Sequence, residues 1–224
     1  MIKAVVFDLD HTLFDRYETL RQVVPSFRER FKLTEGITDE FIAEKICWAD
    51  KQYVHNGWQQ ILAYLCENNI FAEEIVYDEY EAFLLSCFRK TAAKYPFTIP
   101  TLEKIKGMGY KIGIITNSKS ETQNCKIDLI EVRPYCDAII ISGDTPYEKP
   151  QAEIFEMMAE KLEIETSEMM YVGDHPRNDV DGSRKAGCTP VWVKTTGNWI
   201  YPEVEKCDLQ VDDISAIPQI LENL

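Results

Sequence analysis

The chain has little of what secreted, zinc-binding or membrane proteins depend on. Its seven cysteines, at 47, 66, 87, 125, 136, 188 and 207, include no pair at C-x-x-C spacing, and their number is odd. A disulfide framework or a zinc cluster is therefore not expected, and the thiols read as reduced and mostly packed. No apolar run approaches the ~18 residues that a membrane span needs. The apolar stretch before Asp8 is too short for a signal peptide. A soluble, cytoplasmic chain with no membrane partner is expected. Basic side chains are also scarce, 24 against 38 acidic, for a formal charge of −14. Such a surface repels polyphosphate backbones, which argues against a nucleic-acid partner. It repels small anions too, so a phosphate-handling site here must supply its own positive field from a metal, a lysine or backbone amides. Internal repeats and low-complexity tracts are absent. What is present is a 45 % apolar fraction spread over 224 residues. That is enough for a folded core of one domain, with or without an inserted subdomain.

Residues 3–7 are β-branched, aromatic and almost unbroken in apolarity, the pattern of a strand buried on both faces of a parallel sheet. The pattern recurs at Lys111–Thr116, Asp137–Ser142, Met169–Gly173 and Pro190–Lys194. Helical periodicity lies between these, over Pro100–Met108, Glu121–Val132 and Ala152–Leu162. Strands alternating with helices predict an α/β fold, a three-layer core with a parallel sheet. Residues 16–94 differ. Phe27 and Phe31, Ile42 and Ile46, then Ile61, Leu62 and Leu65, then Tyr80, Phe83, Leu84 and Phe88 give successive helical faces, with turn signals between them. Four or five helices are expected there, inserted after the first strand. The division is thus a core of 1–15 and 95–224 around a helical segment of 16–94.

Four short motifs fall at the ends of predicted strands, where ligand sites of parallel α/β sheets gather. Asp8 and Asp10 follow the first strand, two residues apart. On continued strand geometry they share a face, and one carboxylate can stay ionised while its neighbour holds a proton. Thr116-Asn117-Ser118 ends the strand at Lys111–Thr116, with a hydroxyl and backbone amides suited to a phosphoryl oxygen. Lys149 stands between a strand and a helix, placed to neutralise developing charge. Asp174, after Gly173, and Asp179 five residues on offer hard oxygen ligands suited to Mg²⁺. Each motif alone has an ordinary reading, as a solvated turn, a helix cap or a surface lysine.

Together and in this order, the motifs resemble the haloacid dehalogenase-like hydrolase superfamily, its phosphatase branch in particular. The pattern Asp-x-Asp-x-Thr/Val matches Asp8, Asp10 and Thr12; the Ser/Thr, lysine and acidic motifs match Thr116, Lys149, and Asp174 with Asp179. The resemblance implies a core of strand order 5-4-1-2-3, with residues 16–94 as the family's helical cap. Two positions depart from the pattern: His11, where Gly or Asn is commoner, and Gln151, where an acidic residue is usual.

The resemblance also implies a chemistry. Asp8 attacks phosphorus and becomes an aspartyl-phosphate. Mg²⁺ is held by Asp8, the Asp10 backbone carbonyl and Asp174, with Asp179 in support. Thr116, Asn117, nearby amides and Lys149 take up phosphoryl charge, and Asp10 serves as acid and then base. The implied substrate is a small phosphorylated metabolite. Dehalogenation needs no acid at position 10, so Asp10 argues against it. A phosphomutase of the β-phosphoglucomutase type would share these residues, and a non-enzymatic binding protein would have no need of the full set Asp8, Asp10, Thr116, Lys149, Asp174 and Asp179. Trp48, Lys51, Tyr53, His55, Trp58 and Arg89 are the cap side chains with the chemistry to meet a substrate, although aromatic ones more often pack. His175 reads as a loop residue, since Mg²⁺ prefers oxygen.

Overall fold

The computed structural model describes residues 1–53, 57–196, 199 and 201–224. The chain divides into two compact units, Met1–Asp15 with Lys94–Leu224, and Arg16–Ala93.

The first unit is built on a parallel sheet. Its strands are β1 (Ala4–Phe7), β2 (Lys111–Thr116), β3 (Ala138–Ile141), β4 (Met169–Gly173), β5 (Thr189–Val193) and the short β6 (Gln210–Val211). Their spatial order is β3-β2-β1-β4-β5-β6. The expected order 5-4-1-2-3 is therefore present, with β6 added beyond β5. Every residue of β1 and β4 is buried, and each has a strand on either side. The registers Phe7↔Ile114 and Phe7↔Val172 bring the carboxyl ends of β1, β2 and β4 level with one another. Helix α7 (Ala152–Lys161) covers one face. Its Ile154, Phe155 and Met158 form one cluster with Ala4, Val6, Ile115 and Tyr171. Helix α5 (Thr98–Gly107) packs against β2 and against α9 (Ile217–Glu222). Two further helices, α6 (Ser120–Leu129) and the one-turn α8 (Gly182–Lys185), complete the unit. Phe14 and Lys94, close to where the chain leaves the unit and where it re-enters, pair as an antiparallel bridge.

The second unit is helical: α1 (Arg16–Arg30), α2 (Asp39–Tyr53), α3 (Trp58–Glu67) and α4 (Tyr77–Phe88). Leu33 and Phe71 form an isolated bridge in it, short of a strand. Aromatic rings cluster within its largely aliphatic core. The Phe83 ring lies 5.0 Å from both Phe27 and Phe31, and Phe71 lies 5.4 Å from Phe31. Arg16 and Asp50 join α1 to α2 through a buried ion pair, with Arg16 Nε 3.0 and 2.9 Å from the two carboxylate oxygens. The guanidinium also lies over Phe88 (5.0 Å) and Trp58 (5.7 Å), so Trp58 is packed within this unit. Trp48 is 45 % exposed yet stacks on Tyr64 at 4.5 Å. Arg89 donates Nε to the Leu85 carbonyl. His55 lies outside the described residues. Among the described residues no helix is long and apolar enough to cross a membrane.

Phe27 is fully buried and meets rings from α1, α4 and the segment before α4. Phe27→Ala should cost about 3–5 kcal/mol in denaturant unfolding, the usual range for a deleted core ring. A loss under about 1 kcal/mol would show that the cluster is not the core of this unit.

Candidate active site

Asp8 is the first residue beyond β1, and its N–H donates to the Val172 carbonyl of β4 at 2.9 Å. Its carboxylate is buried and meets Lys149 Nζ at 2.6 Å. The same ammonium donates to Asp179 Oδ1 at 2.7 Å and to the Tyr171 hydroxyl at 3.0 Å. Lys149 reaches this point because its backbone is clasped. Asn117, just past β2, donates Nδ2 to the Lys149 carbonyl and accepts the Lys149 N–H on Oδ1, both at 2.9 Å. The Lys149–Pro150 peptide is cis. The Asn117 side chain is thus spent on the lysine loop, and a phosphoryl contact at this position would fall to its backbone N–H.

Asp174 and Asp179 arrive from β4 and from the π-helical turn Pro176–Asp181 that follows it. Asp179 Oδ2 accepts the His175 N–H at 2.9 Å. His175 caps the turn, its Nδ1 accepting from the N–H groups of Arg177 and Asn178. Carboxylate oxygens of Asp8, Asp174 and Asp179 lie within 4.8 Å of one another. Gly173 permits this. A Cβ there would stand 2.5 Å from the Asp179 carboxyl carbon.

Charge is the dominant feature of this cluster. Burial pushes the Asp8 carboxyl up to about 7; Lys149 opposes the rise and Asp179 adds to it. Asp174 is held well above the usual carboxylate range by burial, then by Asp8 and Asp179. Burial alone would lower Lys149, but Asp179 and Asp8 outweigh it, and its ammonium is held well above the ordinary lysine range. One ammonium among three carboxylates leaves two negative charges uncompensated once all three ionise. An all-oxygen donor set short of two positive charges fits a hard dication such as Mg²⁺.

Thr12 and Thr116 are buried beside these groups. Thr12 Oγ1 lies 3.4 Å from Asp8 Oδ2. Thr116 Oγ1 accepts from Gln123 Nε2 at 2.6 Å. Asp10 is held differently from Asp8, by Lys126 and Gln123 of α6. Sequence reasoning missed Tyr171, Gln123 and Lys126. The available signal was polarity in unexpected places: a hydroxyl in a buried strand, and a glutamine and lysine three apart on a helix that must pack. His11 has φ 62°, in the left-handed region that Gly or Asn adopts more readily. That accounts physically for the usual residues at this position. Gln151 Oε1 accepts the Glu148 N–H at 2.8 Å, so it braces the lysine loop.

The family model of haloacid dehalogenase-like hydrolases matches residues 5–193. The chain belongs to that family. The glyceraldehyde 3-phosphate phosphatase of Methanocaldococcus jannaschii is 26 % identical over 233 residues, covering 100 % of this chain and 99 % of that protein. The pyrophosphatase PpaX of Bacillus mycoides is 26 % identical over 224 residues, covering 100 % and 98 %. Among solved structures, a phosphatase of this family from Thermococcus onnurineus is 27 % identical with a TM-score of 0.66, covering 98 % of each chain.

Asp179 is pinned on both oxygens, so it cannot swing away from a methyl group at position 173. Gly173→Ala should destabilise the protein by about 1–3 kcal/mol, as overpacking does. Equilibrium unfolding of the variant checks this, and an unchanged midpoint would show that the close approach is dispensable.

Proposed function

We propose that this protein is a Mg²⁺-dependent phosphatase that releases a small phosphorylated metabolite as its alcohol through an aspartyl-phosphate on Asp8. The observation that carries the reading is the buried Asp8 carboxylate, 2.6 Å from Lys149 and grouped with Asp174 and Asp179. A nucleophilic carboxylate needs a local positive field to meet a phosphate dianion, and in a chain of charge −14 that field must be built in. The names of the relatives, phosphatases and a pyrophosphatase, favour phosphate release over transfer to a second hydroxyl.

In this mechanism Asp8 attacks phosphorus in line, and the phosphorus–oxygen bond to the leaving alcohol breaks. Lys149 neutralises charge on the phosphoryl oxygens, and Tyr171 and Asp179 keep its ammonium in place. The Thr116 hydroxyl and the Asn117 backbone N–H donate to the same oxygens. Asp10 gives its proton to the leaving oxygen, then takes one from the water that cleaves the aspartyl-phosphate. Asp8, the Asp10 carbonyl and Asp174 would hold the metal, with Asp179 in support. When bound, Mg²⁺ supplies Lewis-acid stabilisation of the phosphoryl group. The helical unit is read as the family's cap, the part that selects the substrate.

Asp8→Asn should keep its fold and lose phosphate release by on the order of 10³-fold or more, as members of a cooperating catalytic set do. Near-normal turnover by the folded variant would sink the nucleophile assignment. The metal has a readout apart from activity. Mg²⁺ at about 100 times its dissociation constant should add about 2.7 kcal/mol to the stability of EDTA-treated protein. Asp174→Asn should abolish most of that gain. A wild-type melting curve indifferent to Mg²⁺, with full turnover in EDTA, would remove the metal from the mechanism.

A further inference from the structure

Helix α6 buries Thr122 and two longer polar side chains, Gln123 at 0 % exposure and Lys126 at 3 %. A buried ammonium costs several kcal/mol unless it is paired. Lys126 Nζ is paired with the Asp10 carboxylate, 2.7 Å from Oδ1 and 3.0 Å from Oδ2, and lies 4.7 Å from the centre of the Phe14 ring. Gln123 Nε2 donates to Asp10 Oδ2 at 2.9 Å and to Thr116 Oγ1 at 2.6 Å. Asp10 can only accept when ionised, so the side of the Gln123 amide that faces it is the donor. Both oxygens of Asp10 are therefore held by one helix, and that helix is tied through Gln123 to the end of β2. Apolar residues at 123 and 126 would fill the same space at no electrostatic cost.

We infer that Lys126 and Gln123 are positioning residues of the catalytic cycle: they hold the Asp10 carboxylate in place while each oxygen keeps a second lone pair on which the transferred proton can sit, and the placement they give outweighs the ammonium's preference for the ionised form. Gln123 has a second effect. Because Thr116 Oγ1 accepts from Gln123, its own O–H is turned towards a different acceptor, which suits donation to a phosphoryl oxygen. Neither residue touches the reacting atoms in this scheme; each acts through Asp10 or Thr116. The inference rests on the phosphatase reading above, with Asp10 as acid and base. Proton transfer depends steeply on placement, and an error of about 1 Å is worth on the order of 10²-fold in rate.

The experiment compares an alkyl phosphate, β-glycerophosphate, with p-nitrophenyl phosphate, whose leaving group needs little protonation. Release of the leaving group is followed in a single turnover, so that formation of the aspartyl-phosphate is observed. Lys126→Met should slow the alkyl phosphate by on the order of 10²-fold and p-nitrophenyl phosphate by less than about 10-fold. KM should change little for either. Asp10→Asn should show the same selectivity, and the double variant should be no slower than Asp10→Asn alone, because Lys126 acts through Asp10. Equal losses on the two substrates, or additive losses in the double variant, would overturn the positioning role. If Lys126→Met does not fold, Gln123→Met leaves the ion pair intact and carries the same comparison. A loss larger on the alkyl phosphate is then expected, the share that passes through Thr116 falling on both substrates alike, and a loss equal on both substrates or none at all overturns the proposal. The two readings fail separately. A wild-type enzyme that releases phosphate from neither compound, or an Asp8→Asn variant as fast as wild type, overturns the phosphatase reading and this inference with it. Normal wild-type turnover, a dead Asp8→Asn and an unselective Lys126→Met overturn this inference alone.

Discussion

The buried ammonium of Lys149 is the interaction on which the site depends. It stands between Asp8, Asp179 and the Tyr171 hydroxyl, with its own backbone clasped by Asn117. Without it, Asp8, Asp174 and Asp179 would bring like charges into a buried space, and each would hold its proton. With it, the ends of β1 and β4 and the π-helical turn can converge. Gly173 is required for the same reason, since Asp179 must lie against the strand to reach the lysine. Buried ion pairs are weak sources of stability. A cluster this expensive, still short of positive charge, is better explained by the dianion and dication it is proposed to handle than by folding.

The two carboxylates after β1 are chemically equivalent in sequence and are made different by their surroundings. Asp8 meets a lysine from the loop after β3 and shares its space with two more carboxylates. Asp10 meets a lysine and a glutamine from α6, and its side chain is 25 % exposed. One is thus held in a crowded anionic cluster, the other in a grip that supplies donors to both its oxygens. Separate environments for paired acids are how a single fold assigns them separate roles.

Much of the sheet was legible because its strands are buried on both faces. Continuous apolar runs marked β2 and β4 at their observed limits, and β5 one residue away. Strand β6 is two residues long, too short for any periodicity to register, and α9 went unread with it. The strand-end residues were legible as types because Asp, Thr and Lys at those points have few structural reasons to recur in that order. What surrounds them was not. On α6, Gln123 and Lys126 look like a solvated helical face, and only the approach of Asp10 makes that face internal. In β4, Tyr171 passes for a core aromatic, which it also is, packed at 5.0 Å against Phe155. Its hydroxyl matters because Lys149 ends beside it. In each case the deciding partner lies more than 20 residues away in sequence.

The proposed catalytic set comes from the sheet unit alone: Asp8, Asp10, Thr116, Asn117, Lys149, Asp174 and Asp179, with Gln123 and Lys126 behind them. The helical unit holds itself together by other means, through an apolar core with a cluster of aromatic rings and the buried Arg16–Asp50 pair. Two units with separate cores can change at different rates, because a substitution that repacks one leaves the other's contacts intact. Two relatives of equal likeness to this chain, at 26 % identity, carry names for different phosphate compounds. Names that differ over one shared family model are what separately packed units allow.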